Sequence, residues 1–275
     1  MDFSVIMSVY AKENPIYLDE CLKSLSCQTL RANEIVLVED GPISSELTLI
    51  IDSFRNELNI ISVHLLENVG LGAALNEGLK NCTHEVVARM DTDDIALPER
   101  FEKQIAQLKK NPKIDILGAY AQDFNEEEGC GFIRKMPIGH MSIWHNLFSC
   151  PFIHPTVIYR KKIILSVGGY DEKLMRRQDY DLWFRCALHN AYFENIPEIL
   201  LNYRFTNETH SRQSIKILWL QGLIGFNGVK TLKQPIWMGI VAFFPLIRSL
   251  FPRKIEHFIY KAFKRFDPRQ RETFL

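Results

Sequence analysis

Asp91, Asp93 and Asp94 fall within four residues, directly after the apolar run Val86-Val87-Ala88 and the pair Arg89-Met90. Carboxylates this close repel one another unless a cation sits among them. A hard divalent ion meets that need, because Mg²⁺ or Mn²⁺ takes one or two protein carboxylates and completes its shell with phosphate oxygens and water. The grouping therefore points to nucleotide-diphosphate chemistry. The same residues also suit an acidic turn capping a helix that starts at Pro98, since Asp favours turns and N-caps. Taken alone, they do not choose between the two.

The elements that must position these acids read as alternating strands and helices. Residues 3–9 and 34–38 are buried-strand runs, the second ending at Glu39-Asp40-Gly41. Between them Asn14-Pro15 offers an N-cap with proline at the first helical position. A helix over 44–57, a strand over 60–66, a helix opened by Gly70-Leu71-Gly72 and the strand at Val86 follow. Pro98 starts a further helix with Phe101, Ile105 and Leu108 on one face, and 114–120 is the next strand. This alternation predicts a mostly parallel, doubly wound α/β sheet. Ligands in such sheets bind outside the carboxyl ends of the strands, where Ser8-Val9-Tyr10, Glu39-Asp40-Gly41 and the acidic cluster all fall. No Gly-x-Gly-x-x-Gly follows the first strand and no lysine-bearing phosphate loop is present, which argues against dinucleotide oxidoreductases and P-loop enzymes. Residues 122–151 have weaker periodicity and read as irregular strands and loops on the acceptor side. His154 to Tyr159 reads as a strand, and Gln178 opens a helix.

The 275 residues allow one large domain or a domain with an appendage. Formal charge balances at 33 basic and 33 acidic residues, but unevenly. From Tyr203 onward there are 13 Lys/Arg against 4 Asp/Glu, leaving 20 against 29 in the first 202 residues. An acidic body with a basic tail suggests different partners at the two ends; nucleic acid is not expected among them. The six scattered cysteines read as reduced, mostly buried thiols of a cytosolic protein. No signal peptide is expected before the first strand, and the longest uncharged apolar run, 236–247, falls well short of the ~20 residues that span a bilayer.

Val5-Ile6-Met7-Ser8-Val9-Tyr10, Val38-Glu39-Asp40-Gly41, Asn68-Val69-Gly70-Leu71-Gly72-Ala73-Ala74-Leu75-Asn76, Met90 to Arg100 and Gln178-Asp179-Tyr180-Asp181-Leu182-Trp183 occur in order. Together they resemble the family-2 inverting glycosyltransferases of GT-A fold, in the style of bacterial enzymes that build O-antigen or exopolysaccharide units on a lipid carrier. The resemblance covers about residues 1–205, with 1–120 as the nucleotide-sugar half and 121–205 as the acceptor half. It implies that Tyr10 lies against the base with the Ser8–Tyr10 backbone beside it, and that Asp40 accepts from uracil N3–H. Asp91 would bind ribose hydroxyls and Asp93 a Mn²⁺ or Mg²⁺ ion, while Asp94 orients that site or caps the next turn. Asp179 would be the general base, with Asp181 the rival that helical spacing turns away. Many relatives carry Glu-Asp where this chain has Gln178-Asp179, which leaves one charge fewer near the acceptor. A UDP-sugar carrying galactose or glucose and an N-acetylglucosamine-diphospho-undecaprenol acceptor are what the resemblance suggests. A nucleotidyltransferase and a non-catalytic glycan-binding module are the competing readings.

Other residues divide between site and scaffold. His154 is an acceptor contact or a core histidine before Pro155, and Trp183 packs the core or stacks on sugar. Arg204, His210 and Arg212 fall where relatives close a loop over the diphosphate, or form a solvated basic segment. In the tail, 206–275, Ile255, Phe258, Ile259, Ala262, Phe263 and Phe266 make an amphipathic stripe flanked by Lys254, Lys261, Lys264 and Arg265. That pattern suits an anionic membrane surface or a helix packed on the domain. A place at the inner face of the bacterial cytoplasmic membrane is expected on the first of these.

Overall fold

The computed structural model describes residues 1–125, 129–205 and 214–250. The first half runs β1 (Phe3–Tyr10), α1 (Pro15–Ser26), β2 (Glu34–Asp40), α2 (Ser45–Leu58), β3 (Ile60–His64), α3 (Leu71–Asn81) and β4 (Val86–Arg89). β5 (Ile95–Ala96), α4 (Arg100–Lys110), β6 (Ile116–Asn125), β7 (Gly129–Arg134) and α5 (His140–His145) follow. The second half continues with β8 (Ile158–Arg160), α6 (Lys161–Ser166), α7 (Gln178–Leu188) and β9 (Phe193–Arg204). Three helices come last, α8 (Ile215–Thr231), α9 (Ile236–Val241) and α10 (Phe244–Ser249).

The strands form one sheet in the order β3-β2-β1-β4-β8-β6-β9-β5, with β7 paired to β6. β3, β2, β1 and β4 are mutually parallel, as the alternation predicts. β8 then enters antiparallel between β4 and β6, and β9 lies parallel to β6. Successive residues of β1 point into different cores: Val5, Met7 and Val9 into one and Ile6 into the other. This period-two division explains why the strand reads as a continuous apolar run, since helices cover both faces. Asn14 caps α1 by accepting from the backbone N–H of Ile16 at 2.9 Å, with Pro15 in the first turn.

Several expectations need correction. α4 begins at Arg100 rather than Pro98, and its N-cap position is Glu99; β5 separates it from the acidic cluster, so those acids do not cap it. His154–Thr156 is a 3-10 turn, and only Ile158–Arg160 joins the sheet, because the chain must turn here to run antiparallel beside β4. Residues 122–151 are more regular than expected: β6 reaches Asn125 and pairs with β7. Of the six thiols only Cys21, Cys82 and Cys186 are buried, whereas Cys27 and Cys130 are exposed. The run 236–247 divides into α9 and α10, and among the described residues no helix is long and apolar enough to cross a membrane. The stripe from Ile255 to Phe266 lies outside the described residues, as do His210 and Arg212.

Candidate active site

The carboxyl ends of β1, β2 and β4 meet at one edge of the sheet. Tyr10 pairs in register with Asp40, and Ser8 with Val38, so both half-buried side chains of β1 face the same edge as the acid ending β2. Asp40 is nearly buried, and its two oxygens accept the backbone N–H groups of Val69 (2.7 Å) and Gly70 (3.0 Å). It thereby fixes the loop that leads into α3. A carboxylate has about four lone-pair positions, so capacity beyond these two bonds remains. Gly41 makes this turn possible: its φ is +84°, and a Cβ there would meet the Asn68 nitrogen at 2.7 Å. Gly41→Ala should cost about 1–3 kcal/mol and weaken UDP binding, both measurable by denaturant unfolding and calorimetry.

Beyond β4 the carboxylates of Asp91, Asp93 and Asp94 offer oxygens that all lie within 4.8 Å of one another. Burial, then the neighbouring Asp91 and Glu13 charges, pushes Asp93 up to about 7. Burial, then the neighbouring Asp93 and Asp91 charges, raise Asp94 well above the carboxylate range. Oδ1 of Asp94 accepts the backbone N–H of Arg204 at 2.8 Å, while its buried Oδ2 has no protein partner. Asp94 thus ties the acidic loop to the end of β9. A hard divalent cation fits this donor set: it takes oxygen ligands and relieves the repulsion that otherwise drives protons onto the cluster.

Two arginines lie beneath these acids. Arg89, the last residue of β4, is fully buried and forms an ion pair with Asp91. Burial pulls its pKa down, but the Asp91 carboxylate more than offsets this and the net shift is upward. Its Nε and Nη1 are buried without a protein acceptor. Arg100, equally buried, donates to the carbonyl of Arg89 at 2.7 Å and so holds the strand end in place. Arg204 is not on an open loop. It ends β9 with its guanidinium paired to Glu20, donating to the carbonyl of Asp93 at 2.7 Å and lying over the Tyr17 ring. These contacts make it a brace for the acidic loop.

Asp179 stands in the first turn of α7, partly open to solvent. Burial raises its pKa, while Arg177, the N–H of Tyr180 and Arg89 pull it back. Arg89 therefore acts electrostatically on Asp179 as well as on the acidic cluster. Asp181 takes a different part, because Arg185 claims its carboxylate at 2.7 Å while also donating to the carbonyls of Val167 and Gly169. Asp181→Asn should leave turnover unchanged and cost at most about 1 kcal/mol, as for other partly exposed pairs. A large loss of turnover would move the base to Asp181. Asn76 of α3 completes the frame by bonding the backbone of Tyr170 in both directions, at 2.7 and 2.8 Å. Helix α3 and the loop before α7 are thus held together.

His154 and Trp183 both have partners inside the fold. His154 Nε2 bonds the Tyr170 hydroxyl at 2.9 Å, and burial, with Arg89 nearby, pulls the imidazole well below its usual pKa, so it is neutral. Trp183 is wholly buried against Phe152.

The glycosyl transferase family 2 model matches residues 4–183. Over 274 residues the chain is 38% identical to the amylovoran biosynthesis glycosyltransferase AmsE of Erwinia amylovora, covering 94% of this chain and 98% of that one. The chain belongs to glycosyl transferase family 2. This family-2 glycosyltransferase is also 38% identical over 212 residues to the Escherichia coli UDP-Gal:alpha-D-GlcNAc-diphosphoundecaprenol beta-1,3-galactosyltransferase, covering 77% of each chain. Its fold matches S. aureus TarS 1-349, solved in complex with UDP-GlcNAc, with a TM-score of 0.70 at 21% identity over 98% of this chain and 76% of that one. The GT-A fold expected from the motifs is the one found.

Sequence reasoning missed Arg89, Arg100 and Glu20. A signal existed for the first: an arginine at the end of Val86-Val87-Ala88 must be buried with its strand, and a buried cation requires an acidic partner. Nothing local marks Glu20, which meets Arg204 across 184 positions.

Proposed function

We propose that this glycosyltransferase moves galactose or glucose, with inversion, from a UDP-sugar to a lipid-linked saccharide such as N-acetylglucosamine-diphospho-undecaprenol, in O-antigen or exopolysaccharide synthesis. The observation that supports the chemistry is the acidic cluster, whose Asp91, Asp93 and Asp94 oxygens lie within 4.8 Å of one another beside the ion-paired Arg89. The Escherichia coli relative's name supports the choice of donor and acceptor.

In this reading residues 1–205 are the catalytic unit, 1–120 binding the nucleotide-sugar and 121–205 the acceptor. Ser8, Tyr10 and Asp40 receive the uracil, and Asp91 the ribose. Asp93, with Asp91 and Asp94 beside it, would hold Mn²⁺ or Mg²⁺, which when bound neutralises the diphosphate and stabilises it as leaving group. Asp179 accepts the proton of the acceptor hydroxyl. The freed oxygen pair bonds to the sugar's anomeric carbon from the face opposite the diphosphate, and the old anomeric C–O bond breaks with its electrons leaving on UDP. A single displacement from the opposite face inverts the centre, and it needs only one base. Residues 206–275 contact the anionic inner face of the cytoplasmic membrane, where a lipid-linked acceptor resides.

The test is transfer from a panel of UDP-, GDP- and dTDP-sugars to a synthetic N-acetylglucosamine-diphospho-lipid, with Mn²⁺ or with EDTA. Turnover of one UDP-hexose that EDTA abolishes and Mn²⁺ restores is expected, and Asp93→Asn should lose the Mn²⁺ response. Turnover indifferent to EDTA would remove the metal from the proposal, and preference for a GDP-sugar would overturn the donor.

A further inference from the structure

Exposed apolar side chains run along the C-terminal helices: Ile236, Trp237, Ile240 and Val241 on α9, and a further group on α8 and at the end of α10 that lies toward the Asp179 end of α7. Along α8, Gly225 backs onto Tyr180 and Gly228 onto Phe184, so α8 and α7 run in the same direction. Asp179 lies one residue before the first of these contacts. The N-terminal turns of α8 therefore continue past the start of α7: Trp219, six residues before Gly225, stands roughly 9 Å further along the axis at 1.5 Å per residue. α9 and α10 return the other way, with Gly239 against Phe226, Ala242 against Gly225 and Phe243 against Gly222. This brings α10 alongside the leading turns of α8, and the Trp219 ring leans on Phe243 at 5.3 Å.

The side chains turned outward at this end are large and apolar. Ile215, Trp219 and Leu223 repeat every fourth residue on α8 and are 61%, 53% and 37% exposed. Ile247 and Leu250 beside them are 47% and 66% exposed. The adjoining face of α8 is the packed one, where Leu218, Gly222 and Gly225 are buried. The charge at this end is of one sign: Lys216 and Arg248 lie beside these residues, Lys230 and Lys233 belong to the far end of α8, and residues 214–250 contain no Asp or Glu. The chain then continues from Leu250 into Phe251-Pro252-Arg253-Lys254.

We infer that Ile215, Trp219, Leu223, Ile247 and Leu250 form a docking face for an anionic phospholipid bilayer, which brings the Asp179 edge to the membrane. The inference rests on the membrane contact proposed above and gives it a place in the fold. An aromatic among aliphatic side chains with basic residues around it matches the headgroup boundary, where the apolar part enters the acyl region and cations meet lipid phosphate. The absence of acids removes the repulsion such a surface would otherwise present. A polyprenyl-linked substrate lies in the same bilayer, so docking here shortens its path to the base.

The experiment uses the full chain and vesicles of phosphatidylcholine with about one-third phosphatidylglycerol, some carrying brominated acyl chains. Binding by flotation is expected, with bromine quenching of tryptophan emission that Trp219→Phe largely removes. The double variant Ile215→Glu/Leu250→Glu alters two exposed side chains and should lower the vesicle partition coefficient by at least about tenfold, with UDP binding and thermal unfolding unchanged. UDP calorimetry reports the donor site separately, so failure there and failure at the membrane are told apart. No flotation, equal binding to phosphatidylcholine alone, or full binding by the double variant overturns the inference. So does a concentration-dependent dimer that the double variant dissolves, because a second copy would then be what covers the face.

Discussion

Asp179→Asn should lower kcat by about 10²- to 10⁴-fold while leaving UDP affinity near that of the parent. The side chain lies in the first turn of α7, on a different element from the residues of β1 and β2 proposed to bind the base, so its loss would remove the proposed proton acceptor and little of the donor site. The amide is isosteric, which keeps the turn before α7 intact. The parent should also show an acidic limb in kcat/KM. Burial raises the Asp179 pKa, so the active, deprotonated form is lost as pH falls, starting above the ordinary carboxylate range. Activity therefore rises with pH through that shifted pKa. Full turnover by Asp179→Asn at the parent rate would eliminate the proposed base.

Arg89→Met carries the largest expected effect on stability. Removing one partner of a buried ion pair leaves the other charge uncompensated, at a cost of about 3–5 kcal/mol. Here the stranded group is Asp91, and Asp93, Asp94 and Asp179 lose a neighbouring cation that favours their charged forms. A lower denaturant midpoint at neutral pH is expected, together with weaker Mn²⁺ binding by calorimetry, since each carboxylate then holds its proton more tightly. Arg89→Lys keeps the charge but not the planar fork, and should recover part of both losses. A variant Arg89→Met as stable as the parent would mean that Asp91 is adequately solvated without it.

Much of the fold was readable because the signals are local. Buried strands are continuous apolar runs, and Asn14-Pro15 and Ser44 are capping residues that act within a few positions. The motifs at the strand ends were readable for the same reason: a parallel sheet sends the carboxyl ends of its strands to one edge, so order along the chain becomes proximity in space. What failed depended on distant partners. Arg204 reads as a loop cation by its neighbours, yet Glu20 and the Asp93 carbonyl fix it. The acids before Pro98 look like a helix cap until Ile95–Ala96 pairs with β9 and separates them from α4.

By itself, then, the sequence determined the class of fold, the family and which acids gather at the carboxyl ends of the strands. The fold class and the acidic grouping follow from residue type and short spacing, and the family from the resemblance of the ordered motifs. Only the tertiary structure decided what those acids meet. It buried Arg89 under the cluster, gave Asp181 to Arg185 and left Asp179 without such an ion-pair partner among the described contacts. It also inserted β8 antiparallel next to β4 and turned the leading end of α8 outward beyond α7. The physical reason is common to all of these. Charge pairing and burial depend on distances between residues far apart in the chain, and those distances exist only once the sheet has closed around them.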